Sequence, residues 1–326
     1  MAGAVRSASL LAAVALAAGP AAAQPHRAAH PSPDFTGLWS TASLTELERP
    51  DEFKTLVIPE PQAQAFEKAH RGKPPDLGEK DNPVGGPESE WWELDVPLAR
   101  IRGQVRTSWI VSPADGQRPF TPQARAANKA HGAGRLVDLD GPESRGPDER
   151  CLGIGGAGPP LENGGSNDNY QFVQTPGGLA IQAEWMHDVR TVRVVSGKDA
   201  AAARRLPPGV RIPNGDSVAH WDGDTLVIET TNFPLLQVNA PNHDPAADMR
   251  VVERLTRLSP TELLYAFSVT NSARYTQTWQ AEMLLHAAKG PIYEFACHEA
   301  TMAWPTCWPA RGGLEGRTID GVAKGR

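Results

Sequence analysis

The sequence predicts a mainly β protein: an antiparallel β-barrel or sandwich of lipocalin-like kind, behind a proline-rich, loop-dominated N-terminal half with short helices. Three observations predict it. Of the 30 prolines, 19 fall in residues 1–167, and proline removes a backbone donor and breaks helices and central strands alike. From Asn169 onward, β-prone runs alternate with short turns. No GxGxxG, P-loop or strand–helix–strand rhythm appears, so a nucleotide-binding α/β enzyme lacks its signature.

Residues 1–23 read as a secretory signal. Arg6 supplies the positive start, Leu10 to Ala18 the apolar run, and Ala21-Ala22-Ala23 the small-residue cleavage site before Gln24. The run is about half the ~20 residues that span a bilayer, so no membrane span is expected. The mature chain is expected to be periplasmic or secreted. In residues 24–167, Pro61–Arg71 and Pro122–His131 read as helices, each with proline near the first turn and glycine soon after the end. Residues 72–90 read as an exposed loop. Arg106–Val111 reads as a short strand, stopped by Pro113-Ala114-Asp115-Gly116.

Residues 168–300 carry the expected barrel, followed by a tail over 301–326. Tyr170–Gln174 ends at Pro176-Gly177-Gly178. Leu179–Val195 is a long β-rich run with a possible bend at His187-Asp188. Ser217–Trp221 and Thr225–Thr231 flank an Asp222-Gly223 turn, a strong hairpin signal. Met249–Leu258 turns at Ser259-Pro260-Thr261 into Leu263–Thr270. Tyr275–His286 turns at Lys289-Gly290 into Ile292–Cys297. In the Met249 strand, Val251, Glu253 and Leu255 share one face, and Arg250, Val252, Arg254 and Thr256 the other. Either face puts a charge near a barrel interior, where it must be paired or used. The alternative is an Arg/Glu ladder on a solvated outer face.

The net charge of -6 disfavours nucleic acid as a partner. Three cysteines exclude a disulfide-dense miniprotein and a zinc site of four thiolates. No cofactor motif is present. Nine tryptophans outnumber the tyrosines and the phenylalanines. Trp185, Trp221 and Trp279, with Tyr275, either pack the core or line a pocket for an apolar or aromatic small molecule.

Several blocks resemble a large family of exported bacterial proteins without an established activity. They are Asp34-Phe35-Thr36-Gly37-Leu38-Trp39, Glu149-Arg150-Cys151, Asn169-Tyr170-Gln171-Phe172-Val173-Gln174-Thr175-Pro176-Gly177, and Met186-His187-Asp188-Val189-Arg190. To these add Gly215-Asp216-Ser217, His220-Trp221-Asp222-Gly223-Asp224-Thr225, Val251-Val252-Glu253-Arg254, and Tyr293-Glu294-Phe295-Ala296-Cys297-His298-Glu299. They cover most of the mature chain in the family's order. The chain departs from the family pattern at Arg250, often histidine there, at Ser196-Gly197-Lys198, and at Ala300-Thr301-Met302.

Cys151 and Cys297 lie in two of these blocks, and the expected compartment is oxidising, so a Cys151–Cys297 disulfide is expected with Cys307 left over. A Cys297/His298 nucleophile pair is disfavoured because neighbours on a strand face opposite ways. His187, His220 and His298 also sit in blocks. They suit acid/base or substrate contact, a metal site, or structural hydrogen bonding. Asp188 and Arg190 make either an ion pair or an anion clamp.

Three readings of function follow. In the first, an exported enzyme works on an apolar or aromatic small molecule by cofactor-free acid/base chemistry, as lyase, isomerase or hydrolase. His187 and His298 move protons, and Glu253 or Glu294 assists. Arg190 holds an anionic group, and His220, Trp185, Trp221, Tyr275, Trp279 and Arg250 line the pocket. In the second, a lipocalin-like binding protein carries a hydrophobic ligand without chemistry. In the third, a metal-dependent hydrolase uses the histidines.

Overall fold

A two-residue turn fixes the register of the central hairpin. Gly223 takes a φ of +60° at its first position, the conformation a type II′ hairpin requires and glycine supplies without strain. Asp222 then faces Thr225, and Ser217 faces Thr230. The computed structural model describes residues 32–71, 93, 95–134, 151, 156–197, 205–234 and 248–297. All of these from Pro33 onward belong to one compact unit. The signal segment, the 72–90 loop, His298, Cys307 and the 301–326 tail lie outside the described residues.

In chain order the elements are β1 (Gly37–Ser40), β2 (Val57–Ile58), α1 (Glu60–His70), β3 (Arg100–Ile101), β4 (Gln104–Arg106), β5 (Ile110–Ser112), α2 (Pro122–Gly134), β6 (Asn169–Thr175), β7 (Gly178–Ala183), β8 (Val189–Val195), β9 (Asp216–Asp222), β10 (Thr225–Thr231), β11 (Arg250–Ser259), β12 (Glu262–Thr270) and β13 (Trp279–Ala287). Strands β6 to β13 follow one another around the sheet, and β1 pairs with both β6 and β13. That closes a barrel of nine strands. All its pairings are antiparallel except β8–β9. No helix among the described residues is long and apolar enough to cross a membrane.

Alternation along the strands fills the barrel. Phe172, Ile181, Val192, Ile228, Val251, Leu255, Phe267 and Met283 are all buried in one core. Each such large side chain contributes about 1.5–3 kcal/mol. A second, smaller core forms outside the barrel, where Phe53, Ile58, Ala63, Leu98 and Val105 bring α1 onto the small sheet β2-β4-β3. Arg100 pins that helix by binding Glu60 at 2.6 Å and Glu67 at 2.8 Å, one near each end.

Two features differ from the sequence expectation. The proline-rich half supplies a barrel strand, β1, anchored by Trp39, whose indole Nε1 donates to Phe35 O at 2.9 Å. Ile292–Cys297 is not a strand. One edge of β13 is taken by β12. The other is shared by β5, at Gln280 and Ala281, and by β1, at His286 and Ala287. A segment following β13 therefore finds no free edge to pair with. The expected bend in the Leu179–Val195 run is a 3-10 turn, Trp185–His187, between β7 and β8.

Candidate functional site

The expected site residues divide into separate places. Arg190 and Glu253 point into the barrel and bind each other by two parallel hydrogen bonds of 2.6 and 2.7 Å. Glu253 is 0% exposed and Arg190 2%. The Tyr265 hydroxyl donates to Glu253 Oε1 at 2.8 Å and accepts from Leu161 N at 3.0 Å. Burial disfavours the Arg190 charge, but the Glu253 carboxylate outweighs it and the guanidinium pKa rises. Burial, then the same carboxylate, hold the Tyr265 phenol well above its ordinary value. The charge that the β11 pattern places inside the barrel is thus paired there. On the outer face, Arg250 binds Glu229 at 2.7 Å and Arg254 binds Asp222 at 2.9 Å.

His187 sits on the 3-10 turn, where Met186 and His187 both have left-handed φ, 57° and 50°. Its Nε2 lies 2.9 Å from Tyr293 O and 2.9 Å from Phe295 N. One tautomer donates to the carbonyl, the other accepts from the amide, and both hold the 293–295 segment. Trp185 packs against Phe295 with the rings tilted and their centroids 4.7 Å apart. Gly156 approaches so closely that a Cβ there would lie 2.7 Å from Trp185 O. Cys151 and Cys297 form a disulfide with a Cα–Cα distance of 5.8 Å. Asp188 accepts from Asn214 Nδ2 at 3.0 Å and Ala157 N at 3.1 Å, and its charge adds to the Glu253 influence on Arg190. Glu294 is exposed.

His220 lies on the outer face of β9, in register with Val195 at the far end of β8. His187 lies two residues before Val189, where that strand starts, and the strand alone spans about 20 Å at ~3.3 Å per residue. These two histidines therefore share no metal or substrate. Trp221 stacks on Phe35 at 5.7 Å, and Trp279 lies 5.6 Å from Phe267 and 5.8 Å from Tyr275. Tyr275 and Trp279 are buried in the protein's core, and the half-buried Trp221 packs against it.

A cleft of about 860 Å³ opens beside the barrel instead, between the 43–52 loop, α1, the 93–97 segment and the Asn163-Gly164-Gly165 turn. Its volume falls in the range of small-molecule sites. Leu44, Leu47, Phe66 and Val96 give it apolar walls, and Phe66 stacks on His70 with centroids 3.9 Å apart. Asn163 ties floor to wall. It donates to Thr45 O at 3.1 Å and accepts from Trp109 Nε1 at 2.8 Å. Beneath the floor, the Asp168 carboxylate accepts from Gly164 N at 2.7 Å and Gly165 N at 3.0 Å.

Among the described residues, the charges that line this cleft are unbalanced. Six carboxylates line it (Glu46, Glu48, Glu52, Glu67, Glu93 and Asp95) against His70, Arg71 and Arg118. Burial, reinforced by Glu52, raises the Glu46 pKa, with His70 opposing. Burial and then Glu184 raise that of Glu93. Burial, with Glu93 and Glu184 adding and two backbone amides opposing, pushes Asp168 up to about 7. Crowding of this kind favours the protonated form of these carboxyls, or a cation beside them.

No motif in the sequence singles out these groups. The available signal was the dense acidic run Glu46-Leu47-Glu48-Arg49-Pro50-Asp51-Glu52. No family model, no curated protein and no solved structure matches this chain.

Proposed function

We propose that this is an exported small-molecule binding protein in which the barrel is the frame and the lateral cleft holds the ligand. The observation that carries the reading is a contrast. The barrel interior is occupied by packed apolar groups and by the buried Arg190–Glu253–Tyr265 network, whereas the cleft combines apolar walls with an opening to solvent. Export rests on Arg6, the Leu10–Ala18 run and Ala21–Ala23, together with the resemblance to an exported family.

Titration with the neutral fluorophore N-phenyl-1-naphthylamine tests it. Saturable one-site binding is expected, weakened about tenfold or more by Phe66→Ala and by Val96→Arg. The arginine variant obstructs the rim and leaves both cores intact. If those variants bind normally while Phe267→Ala inside the barrel does not, the ligand lies in the barrel and the reading is wrong.

A second reading keeps cofactor-free acid/base chemistry but moves it to the cleft. Its support is the Glu46 carboxyl on the cleft wall, whose pKa is raised by partial desolvation and by Glu52, with the nearby His70 opposing. The measurement is turnover of any ligand found by the titration, with Glu46→Gln expected to abolish it.

A further inference from the structure

We infer that the ligand of the cleft is an organic cation, an ammonium group on an apolar or aromatic body. This rests on the cleft being the ligand site. The argument is one of charge complementarity within an apolar groove. Glu48 is held by Arg118 at 3.2 Å and Glu67 by Arg100 at 2.8 Å. Asp95 lies 4.0 Å from Arg71. Glu46, Glu52 and Glu93 have no Lys or Arg partner among the described residues, and His70 is the one cation-forming side chain that offsets Glu46.

Each neighbouring carboxylate makes matters worse for the next. Glu52 faces Glu46, and Glu184 lies behind Glu93. A positive ligand placed between them relieves this repulsion, a neutral one leaves it, and an anion adds to it. The apolar walls and the Phe66 ring then select the body of the molecule. A bare metal ion is the poorer match, because no group of three His, Cys, Asp or Glu side chains among the described residues has ligand geometry. The cleft volume of about 860 Å³ suits a molecule the size of a substituted aromatic amine.

Three probes on the full mature chain decide the class: benzyltrimethylammonium chloride, its neutral carbon isostere neopentylbenzene, and sodium phenylacetate. Calorimetric titration at low salt is expected to show the cation binding about tenfold or more tighter than the isostere, with phenylacetate not binding. The double variant Glu46→Gln/Glu93→Gln should weaken the cation about tenfold and leave neopentylbenzene unchanged. The isostere titration on that variant also reports that the cleft is still folded. Equal binding of cation and isostere overturns the cation class while leaving the apolar cleft as the ligand site. Cation binding that the double variant does not weaken overturns it as well. Failure of all three probes, together with failure of the naphthylamine titration, removes the cleft reading itself.

Discussion

Arg190 on β8 and Glu253 on β11 meet across the inside of the barrel, with two strands between theirs in the sheet, and are closed to water. Burying two charges costs several kcal/mol per ion, which the paired geometry and the Tyr265 hydroxyl offset. The pair therefore specifies how the wall closes more than it adds stability. Removing one partner is different. Glu253→Gln should lower the free energy of unfolding by about 3–5 kcal/mol, because it strands the Arg190 charge. The double replacement Arg190→Met/Glu253→Leu should recover most of that loss. Urea unfolding of the three proteins measures it, and a mild Glu253→Gln phenotype would contradict the account.

The disulfide closes a loop with a sequence separation of 146. In the chain-entropy description, such a cross-link contributes about 5 kcal/mol by restricting the unfolded chain. The Cys151→Ser/Cys297→Ser variant should unfold at a clearly lower denaturant concentration. The same midpoint under reducing conditions in both proteins would locate the effect in the bond itself.

Asp168 makes stability depend on pH with a definite sign. Its carboxyl rises from an ordinary 3.8 to about 7 in the folded protein, so the folded state binds the proton more tightly than the unfolded one. Stability contributed by that proton is complete below about pH 4 and is lost as pH rises through about 7, a swing of about 4 kcal/mol. Asp168→Asn should flatten this slope between about pH 4 and about pH 7. Chemical denaturation across that window measures it.

Ligand binding in the cleft should depend on pH in the opposite direction. Glu46 and Glu93 are both raised above the ordinary carboxyl value. As pH falls they take up protons earlier than a solvated glutamate does, and a bound cation loses its partners. Benzyltrimethylammonium affinity should therefore rise with pH, and binding below neutrality should release protons. Calorimetry in buffers of different ionisation enthalpy detects that release, and its absence would count against both carboxyls.

The hairpins were legible because turn chemistry is local. Asp222-Gly223, Pro176-Gly177 and Ser259-Pro260 each fall where two strands reverse. Helix α1 was legible from Pro61 and the glycine soon after its end. Strand β1 was not, since four residues pair only because two distant strands leave a gap for them. Alternation on β11 showed that Glu253 shares a face with Val251 and Leu255, and hence that a charge inside needed a partner. It could not name Arg190, 63 residues earlier. The cleft was the least legible part. Its walls come from four stretches between Ser43 and Gly165, and nothing in any one of them announces the others.

The parallel step from β8 to β9 is a matter of parity. Strands around a closed ring can alternate direction throughout only if their number is even, and this ring has nine. One adjacent pair must run the same way, and β8–β9 is that pair. The connection of residues 196–215 is the return journey this imposes, so it cannot be shortened to a tight reversal. Loss of β8 or of β9 would leave an even ring that alternates throughout, whereas loss of any other single strand would create a second parallel pair. Loss of a whole hairpin would keep the count odd. Shortened forms of this barrel should therefore lose β8, β9 or a whole hairpin.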